Sequence, residues 1–290
     1  MRQRRISEVL KARYGCKVYK LSVDAGFTCP NRDGSLGERG CIFCSAEGSG
    51  DFAISGRDIK AQLIQAKERV ESKNKGGKYI AYFQAFTNTY APVDHLRALY
   101  LAAMEQEEIV ELAIATRPDC VGDEVVALFA ELNSIKPITV ELGLQTIHEQ
   151  TARYIRRGYP TAVFDDAVKR LKAAGLSVVV HMILGLPGES EQQMLETADH
   201  IGKSGADGIK LQLLHVLKGT DLATDYAAGK FECLTLEEYL SLLEKCLALL
   251  PKEMVVHRLT GDGAKRDLIA PLWSADKKKV LNVLKNRLEF

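Results

Sequence analysis

Short apolar runs alternate with longer amphipathic stretches through most of the chain. The apolar runs predict strands over residues 18–23, 79–83, 111–115, 138–144, 177–184 and 208–214, and a short last strand that begins at Val255. The amphipathic stretches predict helices over residues 4–11, 58–73, 92–105, 123–132, 148–157, 162–174, 191–203, 236–249 and 277–288. A strand followed by a helix, repeated six times, predicts a parallel sheet covered by helices.

Six such units with right-handed crossovers fit an α/β fold of the partial (β/α)6 TIM-barrel type. A doubly wound open sheet is the alternative, and the hydrophobic period alone does not separate the two. No long linker or low-complexity tract divides the chain. We therefore predict a single domain over residues 1–290, with a core of about 14–263, a short N-terminal extension and a C-terminal helical extension over about 264–290.

Composition narrows the class of protein. Of the 290 residues, 46% are hydrophobic and 27% are charged, which is ordinary for a soluble globular protein. The formal net charge of +1 predicts no general attraction to nucleic acid or to anionic membranes. No apolar run has the length of a membrane span, and no secretory signal is visible. We expect a cytoplasmic protein whose seven cysteines are reduced.

Three of those cysteines lie in the glycine-rich loop after the first predicted strand. Eleven residues separate Cys29 from Cys41, and two separate Cys41 from Cys44. Thiolates bind soft metals and iron–sulfur clusters, but the next cysteine, Cys120, is far along the chain. The spacing leaves three interpretations open: structural zinc with a distant fourth ligand, unliganded or redox-active thiols, and a [4Fe–4S] cluster with one iron open to another ligand.

Polar and glycine-rich residues follow the other predicted strands, at the end where barrel enzymes carry their active sites. These residues are Gln84, Thr87, Asn88, Arg117, Asp119, Gln145, Gly185, Glu189, His215 and Lys218. Any one of them is also ordinary in a surface loop. His181, inside a strand, is predicted to be a packed core residue. No dinucleotide-binding or phosphate-loop motif occurs, so the sequence gives no support for NAD or ATP chemistry.

Taken together and in order, seven segments resemble the radical S-adenosylmethionine (SAM) superfamily, and within it the bacterial subfamily related to the radical SAM part of the Elongator catalytic subunit. The resemblance covers about residues 14–263. The segments are Asp24-Ala-Gly-Phe-Thr-Cys-Pro-Asn-Arg-Asp-Gly34, Cys41-Ile-Phe-Cys44, Tyr82-Phe-Gln-Ala-Phe-Thr-Asn-Thr-Tyr90, Ala115-Thr-Arg-Pro-Asp119, Glu141-Leu-Gly-Leu-Gln-Thr146, His181-Met-Ile-Leu-Gly-Leu-Pro-Gly-Glu189 and Leu214-His-Val-Leu-Lys-Gly-Thr220. The long gap between Cys29 and Cys41 matches the Elongator-like branch.

The resemblance implies a partial TIM barrel, one [4Fe–4S] cluster held by Cys29, Cys41 and Cys44, and SAM, which is cleaved reductively to a 5′-deoxyadenosyl radical. It also implies the following SAM contacts: Phe43 beside the adenine, Gln84 and Thr87 in the segment for the amino group, Glu141 and Gln145 for the ribose or methionyl part, Arg157 for the carboxylate, and Ile183, Gly185 and Leu214 for the adenine. His181 stands where the adenine motif of the superfamily has its first glycine.

Within this subfamily, the resemblance points to tRNA as the substrate and to the side chain of the wobble uridine, trimmed from carboxymethylaminomethyl to aminomethyl. An external one-electron reductant of the flavodoxin or ferredoxin type is then needed. Candidate RNA contacts are Arg2, Arg4, Arg5, Lys11, Lys17, Lys20 and the lysines at 277–279, although a solvated surface explains them equally well. The alternatives are a radical SAM enzyme acting on a small molecule or protein side chain, and a non-catalytic zinc or RNA-binding module.

Overall fold

The computed structural model describes residues 3–48, 50–56, 58–74, 76–261, 263 and 265–288. Its strands are β1 (Arg4–Arg5), β2 (Val18–Val23), β3 (Lys78–Phe83), β4 (Ile109–Thr116), β5 (Ile138–Gln145), β6 (Ser177–Leu184), β7 (Gly208–Leu213), β8 (Val216–Leu217), β9 (Val255–Arg258) and β10 (Leu268–Ala270). Its α-helices are α1 (Ile6–Tyr14), α2 (Ile59–Glu68), α3 (Val93–Met104), α4 (Asp123–Asn133), α5 (Glu149–Tyr154), α6 (Thr161–Ala173), α7 (Glu191–Lys203), α8 (Asp221–Ala227), α9 (Leu236–Leu249) and α10 (Lys277–Arg287).

Eight strands form one parallel sheet in the order β1-β9-β7-β6-β5-β4-β3-β2. The sheet curls into a half-barrel whose edges are β1 and β2, which confirms the predicted partial barrel. β8 and β10 form a separate antiparallel pair beside the carboxyl ends of the strands. β9 is the short last strand predicted to begin at Val255. The sheet gains one strand over the prediction, β1, because Arg4 and Arg5 pair with β9 rather than entering a helix.

The main hydrophobic core lies between the outer face of the sheet and the helices. It extends from Leu21 on β2 to Val280 and Leu284 on α10, so the C-terminal helix packs on the same core as the barrel. A smaller cluster inside the curl brings Leu10 of α1 against Ile80 of β3. α1 therefore covers the amino ends of the strands, and the carboxyl ends are left for a cavity.

Residues 264, 289 and 290 of the predicted C-terminal extension lie outside the described residues, and the single-domain assignment stays a prediction. Within the described residues, no helix has both the length and the hydrophobicity that crossing a membrane requires.

Candidate active site

A cavity opens at the carboxyl ends of the strands, and it brings together residues that are far apart in the sequence. Its wall contains the three cysteines of the loop after β2 and all but one of the predicted SAM contacts. Those wall residues are Cys29, Cys41, Cys44, Phe43, Gln84, Thr87, Glu141, Gln145, Arg157, Ile183 and Leu214. The exception is Gly185, which does not line the cavity. It has φ +87°, and an added Cβ there would be 3.1 Å from the side chain of Leu234.

The cysteine loop is held by hydrogen bonds from its own side chains. The Arg32 guanidinium donates to the carbonyl oxygens of Ser45 and Cys44, at 2.6 and 3.3 Å, and so ties the start of the loop to its end. The Asn31 amide donates to the carbonyl of Arg156 at 2.6 Å and to the Cys41 sulfur at 3.5 Å. Asn31 therefore fixes Cys41 against the turn after α5.

That turn needs a glycine. Gly158 has φ +86°, and an added Cβ would lie 2.8 Å from Asn31 Oδ1 and 3.2 Å from Arg117 Nη2. A side chain at this position would push directly on the residue that contacts the Cys41 sulfur. The helix predicted over 148–157 ends at Tyr154, since Arg156 has φ +57°, outside the helical region.

The donor set of the cysteine loop fits an iron–sulfur cluster. The neighbouring Cys44 thiol, together with burial, raises the pKa of Cys41 well above its usual range, so the Cys41 thiol keeps its proton until a metal replaces it. Among the described residues, no three His, Cys, Asp or Glu side chains group closely enough to bind a single metal ion. In a cubane cluster each thiolate binds a different iron, and the three cysteines that would supply the thiolates all line one cavity.

One side of the cavity is apolar. Phe43, Ile183 and Leu214 belong to a single hydrophobic cluster with Ile42 and Ile155. The backbone N–H of Ile42 donates to the carbonyl of Ile155 at 3.3 Å, which anchors this cluster to the cysteine loop. Such a surface suits the face of a flat ring, as predicted for adenine.

Gln145 offers the cavity a hydrogen-bond acceptor. It ends β5 with φ +68°, a backbone conformation that non-glycine residues rarely adopt. Its Oε1 is buried and has no hydrogen-bond partner within the described part of the chain. Because a buried carbonyl oxygen without a donor is costly, this atom indicates a ligand that carries a hydroxyl or amino group.

Arg157 is 2% exposed, and all five of its N–H groups donate within the protein. The acceptors are the carbonyl oxygens of Tyr159, Leu144 and Thr146 and the side chains of Glu149 and Thr161. In this conformation the guanidinium shapes the cavity wall. A bond to the SAM carboxylate requires one of these five bonds to be exchanged, and that role stays a prediction.

Glu141 lies at the centre of a buried polar network on the inner face of the sheet. Its carboxylate accepts from Lys20 at 2.6 Å, from His181 at 2.8 Å and from Lys210. Lys210 also donates to the Tyr82 hydroxyl at 3.0 Å, and both ammonium groups lie 4.6 Å from the centre of the Tyr82 ring. We name these five residues, Lys20, Tyr82, Glu141, His181 and Lys210, the barrel network.

Burial and mutual charge set the pKa values in the barrel network. Burial alone raises the pKa of Glu141, but Lys20 and Lys210 outweigh that effect and hold it well below its usual range. Burial, reinforced by Lys20, lowers the pKa of Lys210 to about 7 even though Glu141 opposes the shift. Burial and the charge of Lys210 lower the pKa of His181 to about 4, so the imidazole is neutral at physiological pH.

The sequence did not predict the barrel network. His181 was predicted to be a core residue, whereas the structure places it in the cavity wall, bonded to Glu141. Lys20 was a candidate RNA contact, and its ammonium is turned inward instead. The sequence did contain a signal for the network. Lys20, His181 and Lys210 each lie in a strand that is otherwise mostly apolar, and charged residues are rarely buried without partners.

Comparison with known proteins identifies the family. Residues 34–201 match the family described as the radical SAM superfamily, and residues 206–289 match the radical SAM C-terminal domain. The uncharacterized protein YtqA of Bacillus subtilis (strain 168) is 46% identical over 281 residues, which are 97% of this chain and 87% of YtqA. A tRNA uridine(34) acetyltransferase of Methanocaldococcus jannaschii is 27% identical over 160 residues, which are 54% of this chain and 29% of that protein.

A solved structure shows the same fold. The archaeal Methanocaldococcus infernus Elp3 with an N-terminal deletion matches with a TM-score of 0.69 at 19% sequence identity, covering 93% of this chain and 63% of that chain. The chain belongs to the radical SAM superfamily. It is a radical SAM enzyme, and its cofactors are a [4Fe–4S] cluster and SAM.

Proposed function

We propose that this enzyme modifies tRNA at the wobble uridine, trimming a carboxymethylaminomethyl side chain to aminomethyl. The bond between the nitrogen and the carboxymethyl group would break with addition of water, and the two-carbon unit would leave as glyoxylate, a two-electron oxidation for which SAM would be the acceptor. The observation that carries the tRNA part is the similarity to a tRNA uridine(34) acetyltransferase across 160 residues of the chain. The similarity covers 29% of that protein, so it supports a shared substrate class rather than a shared reaction. No acetyl transfer is proposed.

Cys29, Cys41 and Cys44 would hold three irons of the cluster, with the fourth iron left for SAM. Their thiols lie in one cavity wall, and Asn31 and Arg32 fix the loop around them. When bound, the cluster and SAM supply a one-electron cleavage that yields a 5′-deoxyadenosyl radical. The electron comes from an external reductant of the flavodoxin or ferredoxin type, which is part of the proposal.

The other wall residues would bind SAM and exclude water. Phe43, Ile183 and Leu214 give the adenine an apolar surface that keeps water from the reacting atoms. Gln145 Oε1 accepts a hydrogen bond from the ribose or the methionyl amino group. Thr87, whose backbone N–H donates to the carbonyl of Thr28 at 3.1 Å, joins the segment after β3 to the start of the cysteine loop. Gln84 lines the cavity next to it.

The candidate RNA contacts divide between the two ends of the barrel. Arg4 and Arg5 pair with the start of β9, and Lys11 lies on α1, so these three are at the end opposite to the cavity. Lys277 lies beside the cavity mouth. Arg2 lies outside the described residues. Contact with an RNA whose nucleotide enters the cavity is therefore proposed for Lys277 and its neighbours. A cytoplasmic location, where tRNA is available, is part of the same proposal.

The cluster assignment is tested by anaerobic reconstitution followed by an assay of reductant-dependent 5′-deoxyadenosine. Cys29→Ala, Cys41→Ala and Cys44→Ala are expected to lose both bound iron and SAM cleavage. Cys120→Ala is the matched control, because Cys120 follows β4 outside the cavity wall and should leave both unchanged. Full iron content in any of the three variants contradicts its assignment as a ligand.

The substrate is tested separately by comparing wobble-nucleoside mass spectra of deletion and parent cells. The proposal predicts that deletion cells accumulate the carboxymethylaminomethyl form and lose the aminomethyl form. Complementation with the chain restores the parent spectrum, and complementation with Cys44→Ala does not. Identical spectra in deletion and parent cells would reject tRNA as the substrate and favour a small molecule or a protein side chain.

A further inference from the structure

A groove runs outward from the cavity mouth along the segment between β9 and α10. It shares Gln84, His215 and Arg258 with the cavity wall and continues past Lys265, Arg266 and Lys277. Phe52, from the end of the cysteine loop, also lines the groove. We name this surface, defined by Phe52, Arg258, Lys265, Arg266 and Lys277, the basic groove. A ligand that reaches the cavity from this side passes along it.

The basic groove differs in charge from the molecule as a whole. Four cationic side chains line it, against one carboxylate, Asp51, among the described lining residues. The whole chain has a formal net charge of +1. Arg266 pairs with Asp267 at 3.0 Å, and the side chain of Arg266 is 81% exposed, so that pair is weakened by solvent. The local excess of positive charge favours a polyanionic ligand.

Phe52 adds a second, independent feature. It is 51% exposed, which is unusual for a phenylalanine, and the backbone that follows it is hydrogen-bonded to neighbouring segments. The following residues hold it: Ala53 donates to the carbonyl of Gly50 at 2.7 Å, and Ile54 donates to the carbonyl of Ser22 at 3.0 Å. An exposed aromatic ring beside a line of cations is the combination with which proteins bind single-stranded nucleic acid, since bases stack on the ring while cations contact the phosphates.

We propose that the basic groove binds the single-stranded RNA that flanks the nucleotide in the cavity, with phosphates at Lys265 and Lys277 and a base stacked on Phe52. This inference rests on the proposed function, because it takes the substrate to be RNA. An acidic redox protein also has the charge to bind here. RNA is favoured because the groove leads into the cavity that must receive the substrate, and because an exposed ring suits a base.

The test measures binding of a labelled anticodon stem–loop by fluorescence anisotropy, with full-length reconstituted protein at several salt concentrations. Lys265→Glu and Lys277→Glu are expected to weaken binding, and each is expected to lower the slope of log Kd against log salt by about 0.7–0.9. Lys11→Glu makes the same change in net charge on α1, at the opposite end of the barrel, and should leave the affinity within about twofold. If Lys11→Glu and Lys265→Glu weaken binding equally, the loss comes from the net charge of the protein, and the assignment of RNA to the basic groove is wrong.

Phe52→Ala tests the stacking contact. It is expected to weaken stem–loop binding about fivefold or more, without changing the salt slope. Ile135→Ala removes a side chain of comparable exposure, 56%, from the loop before β5 and serves as the control. Unchanged affinity in Phe52→Ala would remove the stacking role. Circular dichroism melts of all variants show whether any loss of binding reflects loss of fold.

The outcomes separate this inference from the proposed function. Salt-dependent stem–loop binding that no groove variant alters would overturn the basic groove and leave tRNA as the proposed substrate. Groove-dependent RNA binding combined with unchanged wobble nucleosides in deletion cells would keep the groove and reject the wobble-uridine reaction. No stem–loop binding, with groove-dependent binding of flavodoxin instead, would assign the surface to the reductant and overturn the inference.

Discussion

Gly158 lies where the turn after α5 comes closest to the cysteine loop. A Cβ at this position would be 2.8 Å from Asn31 Oδ1, and the Asn31 amide contacts the Cys41 sulfur. The residue also has φ +86°, a conformation that costs an L-residue about 1 kcal/mol or more. A substitution at Gly158 therefore affects both the backbone and the position of Cys41.

We predict that Gly158→Ala loses iron as well as stability. Gly175→Ala is the matched control, because Gly175 has φ +74° but has no atom within 4 Å of an added Cβ among the described residues. Both variants should lose about 1 kcal/mol from the backbone term. Gly158→Ala alone should bind less iron per chain after reconstitution, measured by ferrozine assay. Equal iron content in the two variants would show that Asn31 does not position Cys41.

The barrel network gives a pH dependence whose sign can be worked out. The pKa of Lys210 is about 7 in the folded protein and about 10.4 in an unfolded chain. Between these values the unfolded state binds more protons at this residue, so raising the pH favours the folded state. The contribution of Lys210 to stability therefore increases from about pH 7 to about pH 10.

The prediction is that the free energy of unfolding in urea rises more steeply between pH 7 and pH 9 in the parent protein than in Lys210→Met. Glu141→Gln serves as the second variant. It removes the carboxylate that Lys20, His181 and Lys210 share and should cost about 3–5 kcal/mol at pH 7. Parallel pH profiles for the parent and Lys210→Met would contradict the lowered pKa.

For individual residues, the sequence predicted those that belong to a local sequence motif. Cys29, Cys41 and Cys44 were predicted from spacing and resemblance, and they do lie in one cavity wall. The partners of Glu141 were not predicted, because Lys20, His181 and Lys210 come from β2, β6 and β7 and meet only when the sheet curls. The bonds of Arg157 were missed for a different reason: its acceptors are all within 13 residues of it, but they depend on the turn between α5 and α6, whose backbone conformation the sequence pattern did not predict.

The secondary-structure elements were more predictable. β2 (Val18–Val23), β6 (Ser177–Leu184), α7 (Glu191–Lys203) and α9 (Leu236–Leu249) have the predicted bounds. β1, β8 and β10 were missed, because strands of two or three residues are too short for a hydrophobic period. α8 was also missed, since its seven residues form a single short amphipathic stretch between the end of β8 and α9.

The start of α9 could be predicted closely because a capping motif marks it. Thr235 accepts from the backbone N–H of Glu238, and the Glu238 carboxylate accepts from the backbone N–H of Thr235 at 2.8 Å. This reciprocal capping satisfies two N–H groups at the start of the helix. α9 also supplies Tyr239, whose hydroxyl donates to the carbonyl of Leu259 at 3.1 Å, next to the segment that forms the basic groove.

We predict that Thr235→Ala destabilises the protein by about 1 kcal/mol. Thr235→Ser keeps the hydroxyl and should lose much less. The free energy of unfolding in urea, measured for both variants at pH 7, decides between them. Equal losses in the two variants would mean that the methyl group of Thr235, rather than its capping bond, stabilises the start of α9.

The molecule as a whole has two unlike ends. At the amino ends of the strands, α1 packs Leu10 against Ile80, and β1 pairs with β9. At the carboxyl ends, the cysteine loop, the end of β5 and the segment after β7 surround the cavity. Ligands are therefore expected to change the exchange of backbone amides at one end and not at the other.

Hydrogen–deuterium exchange tests this expectation across the whole chain. SAM added to the reconstituted protein should slow exchange in the cysteine loop around residues 41–45, at residues 143–146 and at residues 214–217. If these segments open locally and bind SAM when closed, saturation at 100 times Kd slows them by up to about 100-fold. Amides of α1 and of the amino ends of β4 and β5 should be unaffected.

Cys44→Ala is the control for that experiment, because a protein without the complete cluster should lose the protection along with the cluster-dependent part of SAM binding. Protection at α1, or protection that persists fully in Cys44→Ala, would place SAM elsewhere in the molecule. The first result would contradict the use of the carboxyl ends of the strands as the SAM site. The second would contradict the dependence of SAM binding on the iron that Cys29, Cys41 and Cys44 are proposed to hold.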